Sequence, residues 1–123
     1  MFSEQSAKAG ITYPKGFVAS GVKAGIKKSG NLDVAVIYSK KEAVVAGTFP
    51  KNAVAAAPVH VSKAVVATHT AHAIVANAGC ANACTGPQGD ADAAAMQKIA
   101  ADALGCGTQD VIVASTGIIG QLL

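Results

Sequence analysis

The triplet Ser115-Thr116-Gly117 is the first candidate for chemistry, because it directly follows an apolar run from Val111 to Ala114. A Thr-Gly pair at the end of a strand can turn the backbone sharply and leave the glycine N–H uncrowded beside a threonine hydroxyl. Thr116 and Gly117 would then form a two-donor pocket for a developing oxyanion. The same composition is common in ordinary turns, so the triplet alone leaves a structural role open.

A second constellation contains two imidazoles and two thiols, at His69, His72, Cys80 and Cys84. These residue types can close a tetrahedral zinc site, and the spacing of the two cysteines is suitable. A strand over 71–76 would, however, put His72 at one end and the cysteines beyond the other end, roughly 20 Å apart. Small buried cysteines and surface histidines are the competing interpretation. A non-catalytic zinc-binding module therefore stays as the alternative function.

The segment 77–89 is rich in Asn and Gly and precedes a helical pattern. Backbone N–H groups at such a position can hold an anion. Short amides such as Asn77 and Asn82 also brace loops by bonding to the local backbone. We favour the bracing role, beside an active site, and no phosphate-loop signature occurs in the segment.

The elements that must position these residues are predicted from apolar periodicity. Strands are predicted over 17–23, 58–62, 71–76 and 111–114, and a hairpin over 32–39 and 43–49. Ser62 is predicted to cap a short helical turn. The clearest helix runs from Pro87 to Gly105, with a capping box between Thr85 and Gln88. Its predicted buried stripe contains Met96, Ile99, Ala100 and Ala103. Strand, helix and strand at this spacing indicate a βαβ crossover.

The composition limits the classes of protein that the chain can represent. Alanine and glycine supply 27 and 13 of 123 residues, there is no arginine, and the formal net charge is +3. Without arginine, bidentate recognition of phosphate or guanine is missing, which argues against specific nucleic-acid binding. No apolar run approaches the roughly 18 residues of a membrane span. The N-terminus lacks a targeting pattern, and three cysteines do not suggest a disulfide framework, so a cytoplasmic location is expected.

The closing segment 111–123 contains seven large aliphatic side chains and no charge. Burying each is worth about 1.5–3 kcal/mol, so more protein is expected to cover this segment. Residues 1–10 lack an apolar pattern and are expected to form a flexible arm. The chain is therefore predicted to be a single incomplete domain over residues 1–123.

Three stretches together carry a family resemblance. They are Thr12-Tyr13-Pro14-Lys15-Gly16-Phe17 with Gly25-Ile26-Lys27-Lys28-Ser29-Gly30, Asn77-Ala78-Gly79-Cys80-Ala81-Asn82-Ala83-Cys84-Thr85-Gly86-x-Gln88-Gly89, and Val113-Ala114-Ser115-Thr116-Gly117-Ile118-Ile119-Gly120. In this order and spacing they resemble the N-terminal part of bifunctional glutamate N-acetyltransferase/ornithine acetyltransferase, a family of arginine biosynthesis.

The resemblance implies an α+β fold, a layered αββα sandwich completed with a second chain. A precursor would cleave itself in front of a threonine, which becomes the nucleophile at the start of the β chain. That threonine would move an acetyl group from N2-acetylornithine to glutamate, with acetyl-CoA as a possible further donor. Thr116 and Gly117 match the family's oxyanion-hole positions. An α2β2 or higher assembly is implied, with no cofactor or metal.

Asn77, Asn82, Thr85 and Gly86 are expected to support the active-site loop. The family's cleavage junction is absent, so the nucleophile is not in this chain, which should be inactive alone. Gly117→Pro is expected to delete one oxyanion donor without unfolding the protein.

Overall fold

The computed structural model describes residues 10–123, and a four-stranded sheet forms its centre. The strands follow one another in chain order across the sheet, as β1 (Phe17–Val22), β2 (Val34–Val44), β3 (Thr70–Cys80) and β4 (Val111–Ile118). Neighbours β1, β2 and β3 are antiparallel, whereas β3 and β4 are parallel. Two helices complete this part of the chain, α1 (Ala57–Val66) and α2 (Gly86–Leu104). Short 3-10 turns lie at Gly10–Thr12 and Thr108–Asp110.

The predicted crossover is confirmed, because α2 connects the parallel strands β3 and β4. A parallel pair cannot be joined by a tight turn and needs a connection of this length. Between residues 10 and 123, neither helix has the length and apolar character that a bilayer crossing demands.

The core lies on the face of the sheet that the helices cover. Its buried residues are small or β-branched, namely Ala73, Val75, Ala100, Ala101, Val111 and Val113. The alternating burial of β3 follows from its pleat, which turns every second side chain toward the helices. Because alanine supplies much of this core, helix and sheet backbones approach closely. The opposite face carries a cross-strand row of Ile37, Ile74 and Ile112, and Ile74 is 38% exposed.

The predicted hairpin is wrong, because residues 34–44 form the single strand β2. The three charged residues Lys40, Lys41 and Glu42 stay within that strand. The pairing with β3 shifts register between Tyr38 and Ala43, as at a β-bulge. A bulge absorbs extra residues without reversing the chain, which a charge cluster alone does not distinguish from a turn.

The predicted strand over 58–62 is also wrong, since these residues belong to helix α1. Pro58 lies in the first helical turn, where its missing N–H has no helical partner to lose. Ser62 is not a cap but a buried residue within the helix. Its Oγ donates to the Val113 carbonyl oxygen at 2.5 Å and accepts the Val113 N–H at 3.0 Å.

Helix α2 matches the prediction at its ends and differs along its buried face. Gly105 has a left-handed φ of 70° and ends the helix as expected. The capping box is wrong, because Thr85 makes no side-chain cap bond and Gln88 instead donates to Asp92. Ile99, expected to be buried, is 69% exposed.

Ala103 is likewise exposed, Met96 is partly buried, and Ala100 is buried as predicted. The other fully covered positions of α2 are Gly89, Ala93 and Ala101, so the buried side follows the smallest residues. Strands β3 and β4 both extend past the predicted ends at 76 and 114. Nearly all of the predicted N-terminal arm lies outside the described residues.

Candidate active site at the ends of strands β3 and β4

Gly117 lies in β4 opposite Gly79 of β3, and the two backbones approach closely. A Cβ added at Gly117 would overlap the Gly79 carbonyl carbon and lie 2.6 Å from the Cys80 nitrogen. Its φ of 134° is moreover one that residues with side chains rarely adopt. Proline requires a φ near −65°, so Gly117→Pro cannot remove the N–H cleanly, and that expectation is wrong.

The predicted sharp turn at Ser115-Thr116-Gly117 is wrong as well, because β4 continues through Ile118. The chain instead turns at residues 119–120, where the Gly120 N–H donates to the Ala83 carbonyl oxygen at 2.8 Å. The Ala81 N–H donates to the Ile118 carbonyl oxygen at 2.9 Å. The segments on either side of the site therefore hold each other in place.

Thr116 and Gly117 open onto two different cavities. Thr116 is exposed and lines a cavity of about 290 Å³ whose walls include Asp33, Asn77 and Ala78. Gly117 lines a larger cavity of about 480 Å³ together with a basic loop at residues 26–29.

Asn77 is 3% exposed and makes a hydrogen bond within the end of β3. Its Nδ2 donates to the Cys80 carbonyl oxygen at 2.9 Å. This bond spans the irregular Gly79–Cys80 step that faces Gly117. Asn77 Oδ1 and the Oγ of its cross-strand neighbour Ser115 are buried without a hydrogen-bond partner in residues 10–123. Buried polar atoms without partners are uncommon and often accompany functional sites.

The loop before β2 is organised by the buried carboxylate of Asp33. Its oxygens accept the backbone N–H groups of Ala24 at 2.6 Å, Ile26 at 2.7 Å and Lys27 at 3.0 Å. These bonds, led by those from Ala24 and Lys27, hold the pKa of Asp33 below its ordinary value although burial opposes them. The Asp33 carbonyl oxygen also accepts the Ala78 N–H at 2.7 Å, which connects the loop to β3.

Asn82 braces the other side of the site, as the sequence suggested for the segment 77–89. It is fully buried with a φ of 49°, and its Nδ2 donates to the Gly89 carbonyl oxygen at 2.8 Å. Thr85 Oγ1 donates to Asn82 Oδ1 at 2.7 Å. A Cβ on Gly89 would collide with Thr85 Oγ1, so α2 can begin this close to the loop only at a glycine. Gly86, with a φ of 61°, is exposed at the start of α2.

The four residues of the zinc alternative are not brought together. No group of three or more His, Cys, Asp or Glu side chains within residues 10–123 is arranged to hold a metal ion. His69 precedes β3, and His72 Nδ1 lies 3.1 Å from the Ser39 carbonyl oxygen. Cys80 is buried, with its Sγ donating to the Gln121 carbonyl oxygen at 3.0 Å, whereas Cys84 is exposed.

Three residues that shape the candidate site, Asp33, Gly79 and Gly89, were not predicted from the sequence. Asp33 follows a basic segment that contains glycine, and this composition indicates a loop. It does not indicate which acidic residue holds the loop in place. The two glycines are needed for close approach, which depends on partners distant in sequence.

Comparisons with known proteins identify relatives of this chain. A sequence profile of the ArgJ family matches residues 18–123. The chain is 48% identical to the arginine biosynthesis bifunctional protein ArgJ of Dehalococcoides mccartyi, over 92% of this chain and 28% of that protein. It is also 48% identical to the ArgJ protein of Streptomyces coelicolor, over 92% of this chain and 30% of the relative. The chain thus spans less than a third of the length of these curated relatives.

Two solved structures share the fold. The ornithine acetyltransferase of Mycobacterium tuberculosis, crystallised with ornithine, superposes with a TM-score of 0.88 at 44% identity, covering 92% of this chain and 62% of that one. The ArgJ protein of Bacillus halodurans gives a TM-score of 0.84 at 36% identity, covering 89% and 57%. Since the profile match extends over well more than half of its residues, the chain belongs to the ArgJ family.

Proposed function

We propose that this chain is the N-terminal part of the α chain of an acetyltransferase of arginine biosynthesis. The complete enzyme would move an acetyl group from N2-acetylornithine to glutamate. Family membership supports the reaction class, and the ornithine bound to a structural relative supports the amino-acid substrate. In this assignment the chain supplies the oxyanion hole.

The observation that carries the proposal is the arrangement of Thr116 and Gly117. Thr116 has an exposed side chain near the end of β4, and the adjacent Gly117 is seated against the Gly79–Cys80 peptide. Donors that stabilise a transition state must be fixed before the reaction, because reorganising them would cost energy during catalysis. The close glycine contact and the Asn77–Cys80 hydrogen bond provide that rigidity.

The first half-reaction would begin with a threonine hydroxyl at the start of the partner β chain. Its oxygen attacks the acetyl carbonyl of N2-acetylornithine, and its proton passes to the threonine's own α-amine. The carbonyl oxygen becomes an oxyanion that the Thr116 hydroxyl and the Gly117 N–H stabilise. The bond from carbonyl carbon to nitrogen then breaks, the proton passes to that nitrogen, and ornithine leaves from an acetyl-threonine ester.

The second half-reaction reverses these roles. The amine of glutamate attacks the ester carbonyl, the same two donors stabilise the oxyanion, and the threonine oxygen leaves with a proton. The products are N-acetylglutamate and the free threonine. Acetyl-CoA would enter as another acetyl donor to the same threonine, and neither step needs a cofactor or a metal ion.

The open face of the sheet would meet the β chain in a layered αββα sandwich. The partly exposed row of Ile37, Ile74 and Ile112 favours this, because an apolar sheet face is stabilised by packing against another layer. The last residues also present exposed large side chains, including Ile118, Ile119 and Leu122. In this proposal the chain is inactive alone and works in an α2β2 or larger assembly in the cytoplasm.

The experiment that tests the proposal is removal of the Thr116 hydroxyl in the assembled enzyme. Thr116→Val should lower the rate of acetyl transfer from N2-acetylornithine to glutamate by about 100-fold to 1,000-fold. Thr116→Ser, which keeps a hydroxyl, should lose far less. Thr48→Val, at an exposed position outside the strands, serves as the matched control.

Intact-mass analysis and N-terminal sequencing of each preparation should find a second polypeptide that begins with threonine. This establishes that cleavage took place before rates are compared. A wild-type rate in Thr116→Val would contradict the assigned role of Thr116, and the absence of any acetyl transfer in the wild-type protein would contradict the function itself.

A further inference from the structure

The cavity beside Gly117 has a basic wall. It has a volume of about 480 Å³, with Lys27, Lys28 and Ser29 on one side and Gly79 and Gly117 on another. Its remaining lining residues are Ile26, Ile118 and Gln121, so no acidic side chain from residues 10–123 contributes to the wall. Whatever occupies this cavity lies next to one of the two predicted oxyanion donors.

The two lysine charges have no acidic partner in the part of the chain that the structure describes. Across residues 10–123, neither Lys27 nor Lys28 lies within ion-pair distance of a carboxylate. Asp33, the acid nearest in sequence, instead directs its oxygens to three backbone N–H groups. It lines the other cavity, with Thr116. The lysine ammonium groups are therefore available to an anion.

The basic loop is also held in a fixed position relative to Gly117. The bonds from Asp33 fix the backbone of Ile26 and Lys27, and the Gly30 N–H donates to the Lys27 carbonyl oxygen at 3.1 Å. A Cβ on Gly79 would meet the side chains of Ile26 and Lys27 at 3.1 Å. The stem of Lys27 thus packs directly on the strand that faces Gly117. A site arranged before the ligand arrives loses less entropy on binding.

We propose that this cavity binds the side-chain carboxylate of the acetyl acceptor and so selects an acidic amino acid. The inference rests on the proposed function, in which donor and acceptor use one threonine. Both amino acids carry an α-carboxylate, but the glutamate side chain ends in a second carboxylate and the ornithine side chain in an ammonium group. Lys27 and Lys28 attract the carboxylate through charge-assisted hydrogen bonds and repel the ammonium group.

The test uses the assembled enzyme and removes each charge while keeping most of the side-chain length, as Lys27→Met, Lys28→Met and the double variant. The KM for glutamate should rise about 10-fold in the more affected single variant, which corresponds to about 1.4 kcal/mol of binding free energy. The double variant should show a larger rise. Acetylation of the enzyme by N2-acetylornithine should be at least as fast as in wild type, since no anionic side chain is bound in that step and the Met variants no longer repel the ammonium group of ornithine. Lys63→Met, at an exposed position in α1, is the matched control.

Glutamine as the acceptor makes the test specific to the side-chain carboxylate. It is nearly the same size as glutamate but uncharged at this end, so the Met variants should use it as well as the wild type does. An unchanged KM for glutamate would overturn the inference. An equal loss with glutamate and glutamine would also overturn it, because the lysines would then act on a group that both acceptors share. A wild-type enzyme that acetylates neither would instead contradict the proposed function.

Discussion

Gly117 and Gly79 face each other across strands β4 and β3 with no space between them for a side chain. The contact is formed by backbone atoms, which cannot move aside as the end of a flexible side chain can. Any residue other than glycine at 117 must therefore displace β4 from β3. Because the Gly117 N–H is one of the two predicted oxyanion donors, the same contact would fix its direction.

Gly117→Ala is accordingly expected to lower the free energy of unfolding by about 2–5 kcal/mol, from backbone strain and steric overlap together. Gly120→Ala provides a matched comparison. Gly120 also has a positive φ, of 80°, but no atom of residues 10–123 lies within 4 Å of its missing Cβ. In Gly120→Ala, backbone strain alone should then lower the free energy of unfolding by about 1–2 kcal/mol. Urea denaturation measures both, and equal losses in the two variants would show that the Gly79 contact is unimportant.

Asp33 should make stability depend on pH in the acid range. Its pKa is lowered from the ordinary value in the folded protein, owing to the N–H groups of Ala24, Lys27 and Ile26. The unfolded chain therefore binds more protons than the folded one between the two pKa values, and stability rises with pH there. The contribution of Asp33 to the free energy of unfolding is complete above its pKa in the unfolded chain. It is lost as the pH falls through its pKa in the folded protein.

Asp33→Asn should remove this dependence. The variant should be less stable than wild type at neutral pH, and this stability difference should shrink as the pH falls from the unfolded pKa of Asp33 through its lowered folded pKa. Urea midpoints measured at a series of pH values for both proteins give the comparison. A difference between the two proteins that stays constant down to the lowest pH would contradict the assigned role of the carboxylate.

Patterns local in sequence were sufficient for some of the fold. The parallel β3–α2–β4 crossover and the end of α2 at Gly105 follow from apolar periodicity and from the left-handed preference of glycine. The full length of strand β2 could not be predicted from such local patterns. Its charged middle, Lys40 to Glu42, has the composition of a turn, and pairing with β3 decides that it is a bulge.

In the candidate site, too, some features could be predicted from local sequence and others could not. Asn82 braces its loop as short amides do, which its residue type already indicated. The close approach of Gly117 to Gly79 joins residues far apart in the chain, so no local pattern could reveal it. It takes the sheet register to show which glycines are in contact.

Chelation separates the two functions considered from the sequence. Since His69, His72, Cys80 and Cys84 do not form a metal-binding group in the described part of the chain, removing metal ions should leave the fold intact. Elemental analysis should find far less than one zinc per chain, and a chelator should not shift the urea midpoint. One tightly bound zinc per chain, together with unfolding on chelation, would restore the zinc-binding alternative.

Ser62 has a structural role at the outer edge of the sheet that its sequence position does not indicate. Edge strands present backbone groups that need partners, and the Ser62 hydroxyl serves both the N–H and the carbonyl oxygen of Val113 in β4. Ser62→Ala should lower the free energy of unfolding by about 1–3 kcal/mol, because both groups are then buried without a partner. Ser20→Ala, at an exposed position in β1, should change it by less than about 0.5 kcal/mol.

The same substitution tests how α1 supports the candidate site. If Ser62 holds β4 in register, amide hydrogen exchange in Ser62→Ala should accelerate at Val113 and at the neighbouring amides of β4 more than in β1 and β2. Uniform acceleration across the sheet would mean that the variant is merely less stable overall. Localised exchange at β4 would show that one hydroxyl in α1 stabilises the strand that contains Thr116 and Gly117.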